Sequence, residues 1–233
     1  MVEIGAVSDG IGSARSVRRD LVARLWHGLD PLVNPTVSLP PDAQGWNSQH
    51  AYLAEAIDRH RPGVAVEVGV WKGASVLTMA RRMRDIGCDG VVIAVDTWLG
   101  SSEHWLDPRT HAQIPRLNGL PLLYYVFLNN VIAEGLQDYV LPLPLDSGSA
   151  CAVLTRLDIR PSVLHVDAAH DYQSVLADLE HWWTLLRPGG TLIADDYAAW
   201  PTVTQAVDHF VARTPHCDFA ASPYKCRFSK PAG

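Results

Sequence analysis

From residue 64 onward, short apolar runs alternate with longer stretches in which apolar residues recur at helical spacing. The runs at 64–70, 91–96, 139–143, 163–167 and 191–194 are dominated by Val, Ile, Leu and Ala, the pattern of strands covered on both faces. Segments 73–85, 120–134, 147–157, 172–186 and 202–212 carry the helical period and predict the elements between them. Repeated strand–helix units of this kind build a doubly wound, mainly parallel sheet with right-handed crossovers. Two further runs, 218–222 and 225–229, flank Pro223 and Tyr224 and predict an antiparallel hairpin at the sheet edge. The expectation is an α/β fold with seven strands.

Upstream the pattern changes. Val17, Leu21, Leu25 and Leu29 mark one face of a helix over 16–29, followed by a connector holding Pro31, Pro35, Pro40 and Pro41. A second helix is predicted over 47–60. The chain thus divides into a helical extension, 1–45, and a main domain, 46–233. Residues 98–118 fit neither period and are rich in Trp, His, Ser and Pro. A loop of that length in a compact domain is read as a lid.

Composition narrows the function classes. With 25 acidic against 19 basic residues the chain has a net charge of −6 and lacks a basic patch, which argues against nucleic acid as a partner. No run approaches the roughly 18 apolar residues of a membrane span, and no secretory leader pattern opens the chain. A cytoplasmic location is the expectation. Cys88, Cys151, Cys217 and Cys226 have no metal-type spacing and read as reduced thiols.

The chemistry concentrates between Leu164 and Tyr197. One apolar run ends in Asp167, and the next ends in Asp195 and Asp196. Neighbouring parallel strands would bring these tips within about 5 Å, and three converging carboxylates call for a cation. An all-oxygen set favours Mg²⁺, with Mn²⁺ or Ca²⁺ as substitutes. His170, just past Asp167, stands where a base would act. At the first strand end the spacing is Glu67-x-Gly69-x-x-x-Gly73-x-Ser75, without the dinucleotide pattern G-x-G-x-x-G. Asp96 closes the second run, where such folds place an acid on ribose hydroxyls. Asp146 and Ser147 follow the third and offer groups to an adenine edge. Helix capping is the alternative role for Asp96 and Asp146.

Taken in order, E-x-G-x-x-x-G, V-D, L-D-S, D-x-x-H-x-Y and P-G-G followed by D-D resemble class I S-adenosylmethionine-dependent methyltransferases. More narrowly, the chain resembles the metal-dependent macrocin O-methyltransferase group, which acts on sugar hydroxyls of natural products. The resemblance runs from about Gln49 to Phe210. It implies that Glu67, Gly69, Gly73 and Ser75 line the methionine part of S-adenosyl-L-methionine, with Asp96 on the ribose and Asp146 and Ser147 on the adenine. It also implies Asp167, Asp195 and Asp196 as Mg²⁺ ligands, with His170 and Asp167 as the catalytic pair. The implied partner is a small-molecule acceptor, a saccharide or glycosylated metabolite, and enzymes of this type often form homo-oligomers. A catechol-type phenol is the alternative acceptor, although catechol enzymes usually carry Asp-Asn where this chain has Asp195-Asp196. A nicotinamide oxidoreductase and a non-catalytic nucleoside-binding module are the remaining alternatives.

Overall fold

The computed structural model describes residues 16–233. The first fifteen residues of the expected extension lie outside that range. In chain order the elements are α1 (Ser16–Trp26), α2 (Ala51–His60), β1 (Val64–Val68), α3 (Ala74–Asp85), β2 (Val91–Val95), α4 (Ser102–Leu106) and α5 (Pro108–His111). There follow β3 (Arg116–Leu117), β4 (Leu120–Pro121), α6 (Leu123–Ala133), β5 (Val140–Leu143), α7 (Ser147–Arg156) and β6 (Val163–Val166). The chain closes with α8 (Tyr172–Leu185), β7 (Thr191–Tyr197), α9 (Pro201–Arg213), β8 (Cys217–Ser222) and β9 (Tyr224–Ser229).

Seven strands form one sheet in the order β5-β2-β1-β6-β7-β9-β8. The first five are parallel and the β8–β9 hairpin is antiparallel, as the apolar runs predict. Alternate strand residues face opposite layers. Val66, Val68, Ile93 and Leu164 pack with α1, α7, α8 and α9. Ala65, Val92, Ala94 and Ile193 pack with α2, α3 and α6. Among the described residues no helix is long and apolar enough to cross a membrane.

Several predicted boundaries move for local reasons. α1 stops at Trp26 because His27 and Gly28 turn left-handed, at φ 50° and 86°, and the Gly28 N–H donates back to the Val22 carbonyl. α2 starts at Ala51 because the His50 ring accepts the Tyr52 N–H and caps it. Leu120 and Pro121 leave the predicted helix to pair with Arg116 and Leu117 inside the long loop, which also holds α4 and α5. β7 continues past Ala194 to Tyr197, with a bulge between Asp195 and Tyr197 at which Asp196 takes φ 57°. α1 lies along the β5 edge: Trp26 Nε1 donates to the Pro142 carbonyl at 2.9 Å, and Arg18 pairs with Asp30 while reaching the Val140 carbonyl.

Candidate active site

The site is set by the point where strand order reverses, between β1 and β6. Chain leaving β1 turns over β2, and chain leaving β6 turns over β7, so a crevice opens at their carboxyl ends. Gly69 and Asp167 meet there. The Asp167 N–H donates to the Val68 carbonyl at 2.8 Å, and the Gly69 N–H to the Val95 carbonyl at 2.9 Å.

On the β6–β7 side, Val166 pairs with Ala194, which brings Asp167 beside the end of β7. In a regular strand Asp195 and Asp196 would point to opposite faces. The bulge changes that, and both acids flank Asp167. Two overlapping groups result, each with ligand atoms within 4.8 Å of one another: an outer set of Asp167, His170 and Asp196, and an inner set of His165, Asp167 and Asp195. A cavity of about 10 Å³ lies beside them, lined by Asp167, His170, Asp195 and Asp196 together with Asp178 and apolar residues of α8 and α9. A wider depression of about 690 Å³ lies along α9 from Ala198 to His209 and holds none of the predicted residues.

Electrostatics distinguishes the three acids. Burial first, then the Asp195 charge, pushes the Asp167 carboxyl well above the usual range. Burial works the same way on Asp195, but contacts with His165 and Lys225 outweigh it and hold that carboxyl low. A cation beside Asp167 would relieve the repulsion, so the donor set fits a hard divalent ion.

His170 is gripped from three sides. Its Nε2 lies 2.9 Å from Asp196 Oδ2, its Nδ1 lies 3.8 Å from Glu103 Oε1, and its ring stacks on Trp200 at 4.5 Å and 9°. The Asp196 hydrogen bond, opposed by burial, raises the imidazole above its ordinary value. Glu103 comes from α4 in the long loop, and sequence reasoning did not single it out. The neighbouring His104 stacks on Trp71 at 4.4 Å, so this short helix touches both halves of the crevice. Trp105 and Trp200 are exposed near it, whereas Trp98 is buried and donates to the Trp71 carbonyl.

The other half lies along β1, β2 and β5. Glu67 is buried and accepts the Ser75 hydroxyl. Both glycines of the turn are dictated by packing: a Cβ on Gly69 would sit 2.0 Å from the Asp167 carbonyl oxygen, and one on Gly73 would sit 2.6 Å from the Phe127 ring. Asp96 braces the turn, accepting the Val70 and Trp71 amides at one oxygen and the Trp98 amide at the other. Asp146 caps α7 through the Ser149 amide, and the Ser147 hydroxyl is shared by Asp178 and Trp182. Two features leave room for a polar ligand. Among the described residues no side chain caps the N-terminus of α3, and none pairs with the buried Trp71 indole N–H.

The sequence does not single out Lys225, and it offers His165 only as an unconvincing partner of His170 in an iron ligand set. Both are fully buried and both contact Asp195. No periodicity signals either, because they depend on which strands become neighbours.

The profile of the Methyltransferase domain family matches residues 66–197, more than half of the chain. The chain belongs to this family. The match opens in β1 and closes at the end of β7, so it contains every predicted site residue from Glu67 to Asp196. Solved structures carry the same fold. The O-methyltransferase from Bacillus cereus in complex with SAH is 18% identical, with a TM-score of 0.56 over 92% of this chain and 96% of that one. The O-methyltransferase NovP is 18% identical, with 0.58 over 93% and 99%. TomG from Streptomyces achromogenes, an O-methyltransferase of tomaymycin synthesis solved with SAM, is 14% identical, with 0.52 over 93% and 89%. No curated protein sequence matches the chain. As in other methyltransferase domains, the sheet is doubly wound and closed by an antiparallel hairpin.

Proposed function

We propose that this methyltransferase carries the methyl group of S-adenosyl-L-methionine to a hydroxyl of a saccharide, with Mg²⁺ at the acidic strand tips. The reading is carried by one observation: Asp167, Asp196 and His170 bring ligand atoms within 4.8 Å of one another at the reversal point of the sheet. The donor supplies a methyl group on a sulfonium, and bound Mg²⁺ supplies positive charge where negative charge develops on the acceptor hydroxyl. The chain's part is binding, alignment and proton removal.

Glu67, Gly69, Gly73 and Ser75 shape the turn for the methionine end, and the uncapped start of α3 offers N–H groups to its carboxylate. Asp96 spends three acceptor positions on amides, which leaves one on Oδ1 for a ribose hydroxyl. Beside Asp146, the Ser147 hydroxyl is committed, so its backbone N–H is the group left for the adenine edge. Asp167 and Asp196 hold the ion. Asp195, which the sequence marks as a third ligand, borders the same cavity with its oxygens engaged by Lys225 and the Asp196 amide. With its Nε2–H donated to Asp196, His170 takes the acceptor's proton at Nδ1, the nitrogen 3.8 Å from Glu103.

SAH and SAM bound in two of the neighbours support the donor, and all three being O-methyltransferases supports an oxygen acceptor. Asp195-Asp196 in place of Asp-Asn favours the saccharide over a catechol. The test is a panel of glycosides and catechols with purified enzyme. Methylation of glycosides is expected, lost in EDTA and restored by Mg²⁺. Turnover indifferent to EDTA removes the cation from this reading, and turnover of catechols alone replaces the saccharide.

The pH profile checks the base. A histidine base works deprotonated, so kcat/KM rises with pH through the raised His170 value. Glu103 contributes to that elevation. Glu103→Gln is therefore expected to move the acid limb to lower pH. A limb that stays in place would detach His170 from the titration.

A further inference from the structure

The inner half of the acidic cluster is already served by a cation of the protein's own. Lys225 sits on β9 directly across from Asp195 and is fully buried. Its ammonium contacts Asp195 Oδ2 and lies 3.2 Å from His165 Nε2. Asp195 Oδ1 accepts the Asp196 N–H at 2.8 Å. On the far side of His165, Nδ1 faces Glu67 Oε2 at 3.4 Å, and the Ser75 hydroxyl closes the row on Glu67. A row of polar side chains thus crosses β9, β7, β6 and β1 beneath the crevice, with His165 Nδ1 and Glu67 Oε2 close but not hydrogen-bonded among the described residues.

By ligand type the inner set, His165, Asp167 and Asp195, suits a metal as well as the outer one does. What separates them is the ammonium. A divalent ion placed on Asp195 would share that carboxylate with Lys225 at contact distance, and two like charges there repel strongly in a buried setting. The bulge at Asp196 completes the division by delivering the next acid to His170 instead.

We infer that Lys225 is a positioning residue: a built-in cation that claims Asp195 and confines the divalent ion to the outer carboxylates, Asp167 and Asp196, beside the base His170. The inference rests on the reading that a divalent ion binds here, and it reduces the three aspartates implied by the sequence to two direct ligands.

Mn²⁺ titration followed by electron paramagnetic resonance tests it on the full chain without reference to turnover. Wild-type protein is expected to bind one Mn²⁺. Lys225→Met removes a positive charge beside the site and frees Asp195, so it should bind Mn²⁺ at least about ten-fold tighter. The paired variant Asp195→Asn with Lys225→Met removes both charges while keeping an acceptor for the Asp196 amide. It should fold even if the single variant does not, and should hold Mn²⁺ within about five-fold of wild type. Unchanged or weaker binding by Lys225→Met overturns the assignment. So does a loss of about thirty-fold or more in the paired variant, the result expected of a direct Asp195 ligand. Wild-type protein that binds no Mn²⁺ would remove the cation reading itself, an outcome distinct from either variant result.

Discussion

Alanine at position 69 is expected to remove a large part of the protein's stability. Gly69 has φ +84°, and an added Cβ would lie 2.0 Å from the Asp167 carbonyl oxygen and 2.5 Å from the Ala168 Cα. Both obstacles are backbone, and neither can rotate away. Hydrogen bonds on each side, Gly69 to Val95 and Asp167 to Val68, pin the two strand ends together. Left-handed strain and overpacking together predict a loss of about 3 to 5 kcal/mol, against a typical total of about 5 to 15. Urea unfolding measures it. A loss under about 1 kcal/mol would mean that the two strand ends part easily and that the crevice is not tight. Gly73→Ala is the internal comparison. Its obstacle is the Phe127 ring, a side chain with some freedom to turn, so the smaller loss is expected there.

Gly69 also shows how the sequence and the structure divide the information. The glycine spacing was legible, and at Gly69 the structure adds a reason of its own, the close approach of β1 to the end of β6. The sheet was legible because strands buried on both faces write themselves as apolar runs, and Val91–Val95 is buried at every position. Asp167, Asp195 and Asp196 were legible as neighbours because parallel pairing of consecutive strand–helix units puts their tips side by side. Their different environments were not. Those follow from a one-residue bulge in β7 and from the register that sets Lys225 opposite Asp195. Neither the bulge nor the register leaves a local trace in composition. Asp96 and Asp146 stood between ligand contact and capping at the level of sequence, and the structure gives both of them backbone amides to hold. Glu103 was hidden for another reason: a loop without a period does not reveal which of its residues turns inward.

Asp167→Asn is expected to separate stability from function. Asp167 is the one residue common to both ligand sets, so an isosteric amide there weakens any ion in the outer set while preserving shape. Loss of a charged group that holds the transition-state charge in place predicts a fall in kcat of about a thousand-fold. Donor binding should change little in calorimetric titration, because Glu67, Asp96 and Asp146 sit on the other side of the crevice. Stability should move the opposite way. Burial and Asp195 raise the folded-state value of Asp167, so between the ordinary carboxylate range and that raised value the native state keeps a proton that the unfolded chain releases. In chelator, the wild-type contribution from this group therefore falls as pH rises through that window. The asparagine variant lacks the slope and should be the more stable protein at neutral pH, as often happens when a strained functional group is removed. Thermal melts in EDTA across that pH range, set beside single-turnover rates with Mg²⁺, decide it. A variant that keeps more than a tenth of the wild-type rate would show that Asp167 does not hold the ion, and a variant that is less stable throughout would show that its carboxylate is not repelled.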